Sequence, residues 1–221
     1  MKLGASGGEP EVLGTKSQPK YQRDGAEPWI SAAYAILVAE GHSGLTIEKL
    51  TAQTGKTRGS FYHHFGSHRG FIARVLDDWH RQHTEQIERL IAAAPEPRQR
   101  RAILNREASK IDGKIEAAIR RWAGTNPVVA QAYQAVDQRR IALIARDLTA
   151  LAASVGVLLI PEKARALAVI DYAIYLGAQM LAPDGRLDAL PDVLPTIEDM
   201  LDVYLRQLPP TRGAANANAK T

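Results

Sequence analysis

From about residue 26 to residue 208 the apolar residues of this chain recur at helical spacing, and no stretch keeps the alternation in twos that a strand requires. That pattern predicts an all-α fold. Pro28 stands in the first turn of a first helix that carries Ile30, Ala33, Tyr34 and Leu37 on one face and ends at Gly41. Thr46 caps a short second helix with Ile47 and Leu50 inward. Gly55 supplies a turn that needs positive φ, and Thr57 caps a third helix in which Phe61 and Phe65, four apart, share a buried side. Ser67 caps a longer fourth helix reaching about Ala94, where Pro95 and Pro97 stop it. A fifth is expected as one run through Leu104, Ala108, Ile111, Ile115, Ile119 and Trp122. Asn126 and Pro127 open the next, from Val129 to Leu151 with room for one break, closed by Gly156. Pro161 opens a helix with the stripe Leu167, Ile170, Ile174, Gly177 and Leu181, ended by Pro183, Asp184 and Gly185. A last helix, about 195–208, sets Ile197, Met200, Leu201, Tyr204, Leu205 and Leu208 on one broad side.

Composition narrows the function. The 221 residues include 45% apolar ones, ample for a core, and no Cys, so disulfides, thiolate metal sites and Cys nucleophiles are excluded. Apolar stretches are interrupted by charge well short of the ~20 residues of a membrane span, and the N-terminus lacks a signal-peptide core, so a cytoplasmic protein is expected. No P-loop, dinucleotide fingerprint or nucleophile elbow appears, and neither a cofactor nor an enzymatic activity is expected. Residues 1–25 and 209–221, rich in Gly, Pro, Ser and Ala, read as tails. Between them, 26–70 reads as a helix-turn-helix head and 71–208 as a larger helical body.

The charge of +4 hints at an anionic partner, and its distribution says more. From Thr46 to Arg69, Lys49, Lys56, Arg58 and Arg69 stand against Glu48 alone, a local excess of +3, with His63, His64 and His68 added. A second basic run, Arg98 to Arg121, has eight Lys or Arg against Glu107, Asp112 and Glu116, and reads as the solvated face of a helix. A helix entering a DNA major groove buries one side and offers its first turns to bases and phosphates. With Phe61 and Phe65 inward, the third helix turns Gly59, Ser60 and His63 outward, puts Tyr62 at the boundary and Arg58 at the N-terminus. Arg suits the paired acceptors of guanine, and Gly59 lets the backbone approach. Tyr62, His63 and the caps Thr46 and Thr57 stand where phosphates can be held.

Gly41, Thr46, Ile47, Leu50, Gly55 and the run Thr57 to Phe65, with Ser67 beyond, resemble the signature of the TetR family of transcriptional regulators, most specifically over residues 29–75. The runs Arg120–Ala123, Asn126–Val129 and Val136, Asp137, Arg139 and Arg140 resemble one type of C-terminal domain in that family. The resemblance implies a three-helix DNA-binding head, a fourth helix linking it to a ligand-binding and dimerisation body, and heads that separate when a small molecule binds. A double-stranded operator, an effector and a second copy of the chain are the implied partners. The two C-terminal helices, about 162–182 and 195–208, carry wide apolar faces that either pair two subunits or complete the core of one. Trp122, Tyr133, Tyr172 and Tyr175 either line the implied effector cavity or serve as ordinary core.

The chain also departs from the pattern. Lys56 takes a turn position usually small and apolar, and Thr51 and Thr54 replace common alanines, which predicts wetter packing between the second and third helices. His68 replaces the customary lysine; imidazole, charged only below about 6.5, would make phosphate contact pH-sensitive. The pairs His64 and His68 and His80 and His83 have metal-ligand spacing, so a metal sensor or metal-dependent enzyme is the alternative reading.

Overall fold

The computed structural model describes residues 25–182 and 185–210, and ten α-helices fill them. The expected tails fall almost wholly outside the described residues, as do Pro183 and Asp184. No helix among the described residues is long and apolar enough to cross a membrane.

Helix α1 (Glu27–Glu40) opens on Pro28 and buries Trp29, Ala32, Ala33, Ile36 and Leu37, a 3–4 stripe. Trp29 leads that stripe; Tyr34, expected on it, is half-buried and its hydroxyl donates to Asp78 Oδ2 at 3.0 Å. Helices α2 (Ile47–Thr54) and α3 (Arg58–Phe65) start where threonine side chains accept backbone N–H groups: Thr46 from Lys49 at 3.3 Å and Thr57 from Ser60 at 3.2 Å. Between them Gly55 takes φ 66°, ψ 15°, the left-handed conformation expected of it. Trp29 sets its ring edge-on to Phe61 (centroids 5.5 Å) and Phe65 (6.3 Å), and Phe71 closes the cluster at 5.2 Å from Phe61.

The long fourth helix is interrupted. Helix α4 (His68–His80) runs into a π turn at Arg81–Glu85 before α5 (Gln86–Ala92) resumes. A π turn inserts a residue into the α-helical ladder and is tolerated where tertiary contacts hold it. Here the buried Thr84 and the backbone carbonyl of His83 both accept from Arg140.

The expected fifth helix is two, α6 (Pro97–Ala108) and α7 (Gly113–Ala123). Apolar phase continues through Ile111, but Asp112 is extended (ψ 103°) and caps α7 by accepting from Lys114 N–H at 2.8 Å. A cap signal thus overrides periodicity. The next helix, α8 (Pro127–Ser154), has no break over its 28 residues. It is the spine of the body, with α4, α6, α7 and α9 packed along it. Being covered on several sides, it buries Val129, Tyr133, Val136, Arg140, Leu143 and Asp147.

Helix α9 (Pro161–Leu181) turns a different face inward from the one expected. Ala164, Ala168, Tyr172 and Ala178 are buried, whereas Ile170 and Leu181 of the expected stripe are 54% and 82% exposed. Small side chains let α9 approach α8 closely, which leaves the large apolar ones on the outside. Helix α10 (Val193–Gln207) buries Leu201 and Leu205 and leaves Met200 exposed.

One apolar cluster spans head and body. Ile119 and Trp122 of α7 join Trp29, Ile36, Phe71 and Trp79 in one cluster, and His42, between α1 and α2, stacks on Trp122 with centroids 6.1 Å apart.

Candidate nucleic-acid interface and body cavity

Phe61 is fully buried and fixes the roll of α3. Around it Thr57, Arg58, Gly59, Tyr62 and His63 are exposed and Ser60 is half-buried, with Arg58 at the first position of α3. Thr46 is half-buried at the start of α2. These residues are distributed between the N-terminal ends of α2 and α3 and the exposed part of α3. Arg58 Nη1 is paired with Glu48 Oε1 of α2 at 3.1 Å, and Lys49 with Glu40 of α1. Lys56 is half-buried in the turn and its N–H donates to Thr54 Oγ1 at 3.3 Å. The hydroxyls of Thr51 and Thr54 donate to carbonyls of their own helix, Glu48 and Leu50, at 2.8 and 2.7 Å. Their polarity is satisfied within α2, and Leu50 remains fully buried beside them.

His68 is exposed, but its Nε2–H donates to the Leu45 carbonyl at 2.7 Å. That bond leaves Nδ1 as the ring atom free to face solvent. His64 is half-buried against Gly25 and His63, and His80 lies 3.8 Å from Glu85. Among the described residues no three His, Asp or Glu side chains converge as a metal-ion set.

The second basic run is not a solvated face throughout. Arg101 is 3% exposed, binding Asp171 of α9 at 2.7 Å and Glu198 of α10. Arg100 meets the buried Asp147 of α8 at 3.3 Å, and Arg98 meets Asp202 of α10 at 3.1 Å. A run of arginines on α6 therefore ties together the helices around it.

Deeper in the body lies a buried polar hub. Glu116 accepts from Tyr133 (2.8 Å), Arg140 (3.0 Å) and the indole of Trp79 (3.3 Å). Arg140 also donates to the Tyr172 hydroxyl at 3.0 Å, and that hydroxyl donates to Asp137 at 2.7 Å. Burial works to raise the Glu116 carboxyl, yet the facing Arg140 guanidinium and its hydrogen bonds hold it below the usual carboxylate range. Burial raises Asp137 and the Tyr133 and Tyr172 hydroxyls above their ordinary values. The hub joins α4, the π turn, α7, α8 and α9 at a single guanidinium. Sequence reasoning missed Glu116 and Thr84 as site residues, gave Arg140 no role and weighed His83 only as a metal ligand. One signal was present: Val129, Tyr133, Val136, Arg140, Leu143 and Asp147 follow one 3–4 stripe, so two charges occupied core positions.

Beside the hub a cavity of about 60 Å³ opens. His83 and Arg140 line it with Tyr172 and Tyr175, and its apolar wall includes Ile87, Leu104 and Leu143. Of the four aromatic residues singled out from the sequence, Tyr172 and Tyr175 border the cavity. Trp122 instead packs in the seam between head and body, and Tyr133 stacks on Trp79 at 5.3 Å.

Residues 30–75 match the family model of bacterial regulatory proteins, tetR family. No curated protein matches the chain by sequence. Among solved structures, reduced NemR of E. coli is similar with a TM-score of 0.66 at 18% identity, covering 78% of this chain and 95% of that one. SCO4454, a TetR-family regulator from Streptomyces coelicolor, gives 0.61 at 18% over 82% and 94%. A TetR regulator from Haloarcula marismortui gives 0.63 at 17% over 80% and 96%. At such identities the structures speak to fold.

Proposed function

We infer, from a chain that carries the tetR-family head on the fold of solved TetR-family regulators, that this protein is a ligand-responsive repressor binding a palindromic operator as a homodimer. The observation that carries the reading is the outer face of α3, with Phe61 locked into the core behind it. Arg58 and Gly59 read base edges, with Ser60 beside them. Tyr62, His63, His68 and the N-termini capped by Thr46 and Thr57 hold phosphates.

Pairing follows from the energetics. One such module covers only about 600–1,000 Å² on DNA, so useful specificity needs two of them on a two-fold site. Helices α9 and α10 leave Val169, Ile170, Met180, Leu181, Met200 and Val203 exposed, large apolar side chains suited to contact with a second copy of the chain. A small molecule bound in the body favours a conformation in which α4 carries the heads out of register with half-sites about one helical turn apart. Operator and effector then weaken each other reciprocally.

Selection of bound sequences from a random DNA pool tests this directly. A palindrome is the expected outcome; recovery without enrichment removes the operator-binding reading.

A further inference from the structure

The cavity beside the hub says what kind of molecule it suits. Its wall is mostly apolar, with Ile111, Ile144, Leu194 and Ile197 adding to the residues already named. Its charges are already matched. All three nitrogens of the Arg140 guanidinium have partners among Glu116, Thr84, Tyr172 and the His83 carbonyl. Asp171, the acid in the wall, is held by Arg101 at 2.7 Å. A charged guest would lose its hydration and find no unpaired counter-charge, an arrangement that burial penalises.

One polar atom of a lining residue has no protein partner. Nδ1 of His83 lies beneath the surface and makes no hydrogen bond among the described residues. Buried polar atoms of native proteins are almost always satisfied, and a guest that moves this wall can bring Nδ1 the partner it lacks. Burial and the neighbouring Arg140 guanidinium hold the ring below the ordinary histidine range against the pull of Glu116, so it is neutral. Its Nδ1 then either donates or accepts according to tautomer, and a hydroxyl can answer both.

We propose that this cavity binds a compact, uncharged, largely apolar molecule bearing one hydroxyl, which pairs with Nδ1 of His83. The assignment rests on the ligand-responsive reading above and supplies the effector's chemical class. Size adds a mechanical consequence. Room of about 60 Å³ holds several waters but is smaller than the ~150 Å³ cavity known to admit benzene. A ring-sized guest therefore has to displace a wall. His83 and Thr84 belong to the π turn continuous with α4, so that wall is connected to the head.

Phenol, benzene and benzoate make a matched set of probes, titrated against the full-length protein by calorimetry or ligand-observed NMR. Phenol is expected to bind at least about tenfold more tightly than benzene, and benzoate to bind more weakly than phenol. His83→Leu should abolish the preference of phenol over benzene while retaining benzene binding; His83→Gln, which keeps a polar group, should restore part of it. The proposal is overturned if no probe binds, if benzoate binds best, or if the phenol preference persists in His83→Leu. Salt-dependent DNA binding, measured on the same preparations without probes, separates the two failures. Intact DNA binding with no phenol preference removes the cavity assignment alone, whereas lost DNA binding in the wild type removes the regulator reading.

Discussion

Arg58 and Glu48 stand 3.1 Å apart with side chains 62% and 67% exposed, so their pair contributes little to stability. Arg58 can therefore leave Glu48 for a base edge at small cost. Arg58→Ala should reduce discrimination between the selected operator and unrelated DNA by about 1–3 kcal/mol, read from competition binding, with little change in the affinity for unrelated sequence. His68 behaves differently because its Nε2–H is committed to the Leu45 carbonyl. Only Nδ1 is then left for a phosphate, on a ring held in place by that bond. His68→Lys should strengthen operator binding and steepen its salt dependence, and an unchanged affinity and slope would remove this role. Thr46, Thr57 and Gly55 were all legible in the sequence, since capping and positive φ depend on immediate neighbours. Trp29 was not: its place at the centre of the head is set by Phe61 and Phe65, more than 30 residues away.

At the level of elements, the break between α6 and α7 and the π turn after α4 were both hidden by periodicity that continued through them. The π turn is held by Arg140, whose partners come from three other elements. Removing one side of a buried ion pair leaves an uncompensated charge, typically about 3–5 kcal/mol. Glu116→Leu should therefore lower thermal stability far more than Glu107→Leu, since the partners of Glu107, Arg106 and Lys110, are exposed. The same hub sets a pH dependence. His83 and Glu116 both have lowered native values, so the unfolded chain binds more protons than the native one through their titration ranges. Their contribution is present above the unfolded values and is lost as pH falls, first below about 6.5 for His83 and then through the carboxylate range for Glu116. Asp137, raised by burial, opposes this in the carboxylate range only. The melting temperature should drop between pH 7 and 5.5, and His83→Gln should make that drop shallower; a wild-type melting temperature independent of pH there contradicts the sign.

For the whole molecule, the proposed pairing rests on the exposed apolar side chains of α9 and α10. Fully burying one large aliphatic side chain is worth about 1.5–3 kcal/mol, so a contact covering several of them outweighs the entropy of pairing only if charge is kept out. Ile170→Glu combined with Met200→Glu should give a monomer by sedimentation and weaken operator binding more than tenfold, with α3 untouched. A dimer that survives both changes places the interface elsewhere. Wild-type affinity should fall with salt at a log–log slope near about −0.9 per phosphate neutralised, and a flat response would argue against phosphate contacts.

The amino-acid sequence alone determined the helical class, the caps and turn of the head, and the outward side of α3. All of these follow from spacing within a few residues of one another. Tertiary structure alone decided which face of α9 is buried, since both faces are apolar and only the close approach to α8 selects the one bearing alanines. It also decided that Arg101 and Arg140 belong to the interior. Their carboxylate partners lie between 24 and 97 residues away, and a charge at a core position reveals its role only when the fold brings its counter-charge to it.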